Sequence, residues 1–294
     1  MLQAILITAY KDLQHLKKII DFFDNDFEIY IHFDQKVNVT NESLQKTLNA
    51  NNIKLISRKY QVNWGGFNHL RAILHLLEEA LKNPKIKYFH TISGQDYPIK
   101  NINNFKSYFF ENKDVSFLDY QPVKALGWQN NGLNRLELYN LFDFFNFKNS
   151  LHRKILHYSL KIQIKLNRKR KLPFTLEQLY GGSTWWSLNR EAAEFVNGFT
   201  SSNSKIFKSF RYTLCSEEVY FQTVLCNFFD SNLLIKNNLR YIDWSARNNS
   251  NPAILDMSDY EKLVNSEAFF ARKFDKNVSS DLLSAIEGFI KKSD

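Results

Sequence analysis

The first hundred residues switch repeatedly between two hydrophobic periods, and nothing else in the chain restricts its fold as strongly. Ala4 to Thr8 (AILIT), Phe27 to Phe33 (FEIYIHF), Ile53 to Ile56 (IKLI) and Tyr88 to Ile92 (YFHTI) are short, nearly continuous apolar runs, the pattern of strands buried on both faces. Between them lie stretches with the helical period. Leu13 to Phe23 sets Leu13, Leu16, Ile19, Ile20 and Phe23 on one face, and Asn68 to Leu81 (NHLRAILHLLEEAL) is equally amphipathic. Strand, helix, strand in succession predicts an α/β fold whose strands are parallel and joined by right-handed crossovers. Ligands of such sheets bind beyond the carboxyl ends of the strands. That rule selects Thr8-Ala9-Tyr10, His32-Phe33-Asp34 and the turn Ser93 to Asp96.

The second half is less regular. Helices are predicted at Asn134 to Phe144, within the basic stretch 153–171, at Arg190 to Phe199, from Glu217 to Phe229, and at Ser280 to Lys292, with a strand from Leu239 to Trp244. No internal repeat or Pro/Gly-rich linker interrupts the 294 residues, which favours one domain over 1–294. The chain is 44% hydrophobic and 23% charged, which excludes disorder for most of it, and its 26 Phe are expected mainly in the core.

A net charge of +9 and a pI near 9.3 point to acidic partners. Eight of the Lys and Arg fall in 153–171 (RKILHYSLKIQIKLNRKRK), interleaved with Ile, Leu and Tyr. This is the pattern of an amphipathic segment on an anionic membrane surface; a solvated helix face followed by a basic turn is the alternative. No zinc-finger, RRM, KH or helix-turn-helix signature is present, so nucleic acid is not an expected partner. Cys215 and Cys226 lie eleven apart in one predicted helix, about 16 Å at 1.5 Å per residue, too far for a disulfide. The amino terminus shows neither a basic leader nor a cleavage site, and no segment is long and apolar enough to span a bilayer. These features predict a cytoplasmic protein, peripheral at the inner face of a membrane if the basic stretch docks there.

Three sets of charged residues could carry chemistry. Glu217 and Glu218 follow Ser216 at a helix start, where acids commonly serve only the helix dipole, yet adjacent acids point different ways and one can take a proton from a hydroxyl. Arg240 and the pair Arg272-Lys273 sit among aromatic residues, a setting suited to phosphate; ion pairing with Asp243 or Asp275 is the other reading. Asp24-Asn25-Asp26 has the spacing of a metal-binding Asp-X-Asp but falls at the amino end of a strand and reads as a turn. The carboxyl end of the fourth strand offers only Asp96, too little carboxylate for a divalent ion, so neither a metal nor any other cofactor is expected. Gly65-Gly66 and Gly181-Gly182 fit neither dinucleotide nor P-loop fingerprints, and His32 and His90 read as structural.

Seven segments in order, IHFDQK (31–36), VNWGGFNHLRA (62–72), HTISGQDYPIK (90–100), YGGSTWWSLNRE (180–191), SEEVYFQTVL (216–225), LRYIDW (239–244) and FFARKFD (269–275), resemble the core-two/I-branching N-acetylglucosaminyltransferase family, which includes the peptide O-xylosyltransferases. The resemblance covers nearly the whole chain. It implies a GT-A type fold with a mostly parallel central sheet flanked by helices, residues 1–120 holding the nucleotide sugar and 121–294 the acceptor and the catalytic group. It also implies inverting, metal-independent transfer from a UDP-sugar, N-acetylglucosamine or xylose being the expected sugar. Glu218 would be the catalytic base, and Arg240 and Lys273 would hold the UDP diphosphate. Thr8, Ala9, Tyr10, Asp34, Trp64 and Asp96 would line the nucleotide and donor pocket, with Gly182, Ser183, Trp185, Trp186 and Glu217 beside donor and acceptor. The sequence lacks the anchor, stem and disulfide cysteines of animal members, which points to a bacterial enzyme of surface-glycan synthesis. No motif marks the acceptor, whether glycan, lipid-linked glycan or protein hydroxyl; Arg135 and Glu137 are candidate contacts. A non-catalytic saccharide- or lipid-binding protein on the same fold is the competing reading.

Overall fold

In the computed structural model, which describes residues 1–292, the four apolar runs become strands β1 (Gln3–Ala9), β2 (Phe27–Phe33), β3 (Ile53–Ser57) and β4 (Tyr88–Ser93). They pair in parallel in the order β3-β2-β1-β4, with Thr8 level with both His32 and Ser93, so their carboxyl ends form one edge. The later strands are shorter: β5 (Asp96–Pro98), β6 (Ser116–Leu118), β7 (Gln121–Pro122), β8 (Tyr180–Gly181), β9 (Trp186–Asn189), β10 (Leu234–Lys236), β11 (Arg240–Ile242) and β12 (Phe270–Arg272). The central sheet runs β10-β6-β9-β4-β1-β2-β3, β11-β12-β5 form a second small sheet, and β7 pairs with β8. The α/β architecture, with a mostly parallel central sheet between helices, is as the sequence predicts.

Two antiparallel pairings decide what reaches the ligand edge. β9 runs against β4 and β6, so it enters the sheet from the carboxyl side and leaves the turn 181–185 at that edge. β12 runs against β5 with Arg272 opposite Asp96, which brings Arg272-Lys273 to the same place. Helices cover both faces. On one side Leu16, Ile19, Phe105, Phe109 and Ile286 are buried together; on the other Leu70, Ile73, Leu77, Phe221 and Val224 are. Much of the phenylalanine is core, with Phe105 contacting Phe27, Phe109 and Phe270 at ring distances of 5.5, 4.8 and 5.5 Å.

Some boundaries differ from those predicted. Only Leu133–Leu136 of the stretch 134–144 is helical. The Asn140 amide donates to the carbonyls of Asn134, Arg135 and Leu138, holding the chain in a loop that competes with a helix. The Glu217 helix is split into a 3₁₀ turn, Ser216–Glu218, and a helix, Tyr220–Phe228. Cys215 precedes both at φ 51°, so the two thiols do not share a helix; both are free. The basic stretch forms the helix Ser150–Lys165 and then leaves it. Asp24 and Asp26 occupy a turn at the amino end of β2 and both pair with Lys106, at 2.7 and 2.9 Å.

Candidate active site

The site grows from the carboxyl ends of β1 and β4. Gly94 donates its N–H to the Thr8 carbonyl (2.9 Å), and a side chain on Gly94 would lie 2.9 Å from the Ala9 methyl, so only glycine lets the two strand ends close up. The turn after β4 is locked by Asp96, whose carboxylate accepts the Ser93 N–H (2.7 Å) and hydroxyl (2.9 Å). Asp34, at the end of β2, accepts the N–H groups of Lys36 and Val62 and so fixes the loop that follows β3. Tyr10 stands exposed above this edge and donates its hydroxyl to Gln95 (3.1 Å).

Two acids enter from the other half. Ser216–Glu218 packs against the helix Phe67–Leu81, and Glu217 Oε1 lies 2.9 Å from His69 Nδ1. The second nitrogen of His69 is 3.3 Å from the Thr8 hydroxyl, giving a chain from carboxylate through imidazole to the donor edge. Glu217 Oε2 is buried without a hydrogen-bond partner. Glu218 faces Arg135, whose guanidinium is 2.8 Å from its Oε2 and 3.9 Å from the centre of the Trp128 ring. Burial, reinforced by Glu217 next door, pushes the Glu218 carboxyl above its ordinary range, and Arg135 opposes the shift. The carboxyl is therefore a better proton acceptor than an exposed glutamate.

The glycine turn ties these parts together. Gly182 donates its N–H to the Glu218 carbonyl (2.9 Å), and Gln222 donates to the Ser183 carbonyl (2.7 Å). Trp185 is nearly buried, with its edge to His69 (6.5 Å between rings) and the Arg272 guanidinium 4.3 Å from its ring centre. Arg272 Nε lies 3.6 Å from Asp96, while Nε and Nη1 are buried with no hydrogen-bond acceptor. Lys273 follows, with its ammonium 3.2 Å from the Ser250 hydroxyl. Burial, then the charges of Arg272 and Lys11, hold it down to about 8. Lys11 in turn pairs with Asp275 at 3.0 Å.

Three predicted site residues lie elsewhere. The Arg240 guanidinium is in the core: Nη1 donates to Ser187 Oγ (2.8 Å) and to the Asn238 carbonyl, and Nη2 to the carbonyls of Thr91 (3.0 Å) and Trp186 (2.9 Å). Both fork nitrogens are thus engaged by the sheet, and Nε is buried without an acceptor. Trp186 is likewise fully buried against Phe221 and does not line the cleft. Trp64 is 57% exposed and packs on Phe142 and Phe147. Of the two acceptor candidates, Arg135 meets Glu218, whereas Glu137 pairs with Lys169 (2.7 Å) and lines a shallow cleft of about 260 Å³ beside the basic helix.

His69 and Trp128 stand out only in three dimensions, as does the stacking of Arg272 on Trp185. His69 and Arg272 sit inside segments the sequence marked, but their partners Glu217 and Trp185 are 148 and 87 residues away.

The family model Core-2/I-Branching enzyme matches residues 4–264. Xylosyltransferase 1 of Mus musculus is 24% identical over 303 residues, covering 96% of this chain and 29% of that protein. A xylosyltransferase of Ciona intestinalis is 25% identical over 299 residues, covering 95% and 32%. The chain thus spans about a third of the curated relatives it matches. Among solved structures, mouse xyloside xylosyltransferase 1 in its apo form covers 95% of this chain and 99% of its own, with 11% identity and a TM-score of 0.39. With the match running from β1 past β11, the chain belongs to the core-2/I-branching enzyme family.

Proposed function

We propose that the chain is an inverting, metal-independent glycosyltransferase that moves N-acetylglucosamine or xylose from a UDP-sugar to an acceptor hydroxyl on a glycan, a lipid-linked glycan or a protein. The observation that carries the reading is the arrangement around Trp185. On one side Arg272 holds two buried N–H donors that lack an acceptor; through His69 on the other lies the acid pair Glu217-Glu218. Buried donors call for an acceptor closer than the Asp96 carboxylate at 3.6 Å, and a diphosphate laid against Arg272 and Lys273 supplies it.

In this reading Glu218 takes the proton of the acceptor hydroxyl as its oxygen forms a bond to the anomeric carbon. The bond from that carbon to the phosphate oxygen breaks, and its electron pair leaves with UDP. Arg272 and Lys273 meet the developing charge. One base and a single displacement invert the anomeric centre. The Asp96 carboxylate, already committed to Ser93 and facing Arg272, has little left for a metal ion, which supports assigning the cationic task to side chains.

The test is Glu218→Gln with and without chelator. UDP binding should persist while transfer falls by about 10²- to 10⁴-fold, and EDTA should leave wild-type turnover unchanged. Near-normal turnover of the variant overturns the base, and activity that requires added Mn²⁺ overturns metal independence. A wild-type chain inert toward a panel of UDP-sugars returns the question to a non-catalytic binding protein.

A further inference from the structure

The net charge of the chain is +9, from 39 Lys and Arg against 30 Asp and Glu. Nine of those cations and none of the acids lie in residues 144–176, so this short span carries the entire excess and the remainder of the chain is balanced. Arg170 is buried and Lys169 faces Glu137; among the described residues the other seven have no acid within ion-pairing distance.

The same span holds the helix Ser150–Lys165, of which only Leu156 is fully buried. Leu151, Ile155, Tyr158 and Ile162 recur at i, i+4, i+7 and i+11, which stacks them on one face. That face points outward: Leu151, Tyr158 and Ile162 are 63, 60 and 56% exposed, and Leu166 extends the stripe just past the helix. Lys154, Lys161 and Lys165 flank it. At the amino end of the helix the stripe is continued by half-exposed rings, Phe147 against Trp64 at 5.3 Å.

We infer that this face is a docking surface for an anionic lipid bilayer, the helix lying in the headgroup plane with its apolar stripe inserted and its lysines against lipid phosphates. Charge decides among occupants. A second copy would set these seven unpaired cations against seven more, which opposes self-association through this face. The seven cations of this span that have no ion-pair partner among the described residues also give the face a single sign, without the alternating charges that fix the register of a protein partner. The position has a consequence for the site. Trp64 adjoins Gly65, whose carbonyl accepts the Cys215 N–H (3.1 Å), and Cys215 leads directly into Ser216–Glu218. Docking therefore holds the acid pair near the membrane plane, where a lipid-linked acceptor presents its hydroxyl. Binding to lipid does not depend on the glycosyl-transfer reading, and the two are measured separately.

The test is co-sedimentation of the intact chain with phosphatidylcholine vesicles, alone or with a quarter phosphatidylglycerol. The protein should pellet with the anionic vesicles only, and should be released when salt is raised from 0.1 to 1 M, which cuts the screening length from about 10 to about 3 Å. Leu151→Gln/Ile162→Gln and Lys154→Glu/Lys161→Glu should each lower vesicle binding by about tenfold or more, with UDP binding, read by thermal shift, unchanged. The proposal is overturned if wild type ignores anionic vesicles, if neutral vesicles bind it equally, or if neither variant differs from wild type. It is also overturned if sedimentation velocity shows a dimer that the apolar substitutions dissociate. The lipid and salt arms need no variant and decide the question even if one misfolds.

Discussion

At the scale of the residue, three cations drawn from similar sequence settings have different tasks. Arg240 and Arg272 both sit among aromatic neighbours, and nothing local separates them. The structure spends both fork nitrogens of Arg240 on the sheet and leaves only its Nε without an acceptor, whereas Arg272 keeps Nε and Nη1 without one. Arg240→Ala should therefore cost about 3–5 kcal/mol of stability, as when one partner of a buried charged network is removed. Arg272→Ala uncovers the buried Asp96 carboxylate and should also lower the melt, but it should abolish the UDP-induced shift that Arg240→Ala retains; thermal melts with and without UDP separate the two, and the reverse pattern would assign the diphosphate to Arg240. Lys273 adds a pH signature. Its pKa of about 8 in the free protein means the cation is lost as pH rises through that value, and a bound diphosphate pulls it upward. UDP affinity should then fall above about pH 8, with uptake of a proton on binding in that range, measurable by calorimetry in buffers of different ionisation enthalpy. Lys273→Arg should flatten the profile, since a guanidinium stays charged.

At the scale of the element, the sequence was most readable where periodicity is imposed by burial on two faces. β1, β2, β3 and β4 and the helices Leu13–Phe22 and Phe67–Leu81 lie within a residue or two of their predicted bounds. It was least readable at 134–144 and 215–219, where side chain to backbone bonds and a left-handed Cys215 override the apolar pattern. The edge to which ligands come was also legible, because strand direction follows from the βαβ pattern. The pairings across it were not, because His69–Glu217 and Trp185–Arg272 depend on antiparallel entries that leave no periodic trace. Gly182 shows how an element can be fixed by one missing atom. A Cβ there would lie 1.9 Å from the Asp119 carbonyl oxygen, a backbone atom with nowhere to retreat. Gly182→Ala should cost about 1–3 kcal/mol. Since the same residue's N–H holds the Glu218 carbonyl, turnover should fall more than UDP affinity. Equal loss of both in steady-state kinetics and binding would show that the turn does not position the acid.

At the scale of the whole molecule, both buried clusters rest on the same central sheet. Phe27 and Ile29 belong to one cluster, and Tyr30 of the same strand to the other. Neither half can lose its packing without exposing strands that the other uses. Calorimetry should therefore give a single transition whose van't Hoff and calorimetric enthalpies agree; two resolved peaks would divide the chain into separately folding units. Composition foretold the aromatic core and the overall positive sign. It could not foretell which cations of the span 144–176 stay open to solvent, because exposure is a property of what the neighbours leave uncovered. Among the described residues no helix is long and apolar enough to cross a membrane.

The salt bridge from Arg135 to Glu218 has a further meaning on the glycosyl-transfer reading. At rest the carboxylate is capped by a guanidinium that is itself braced on Trp128. A stray water arriving beside a loaded donor finds that oxygen already occupied. An acceptor large enough to push the arginine aside frees it. The resting enzyme then guards its activated sugar from wasteful hydrolysis by the same contact that admits the proper recipient.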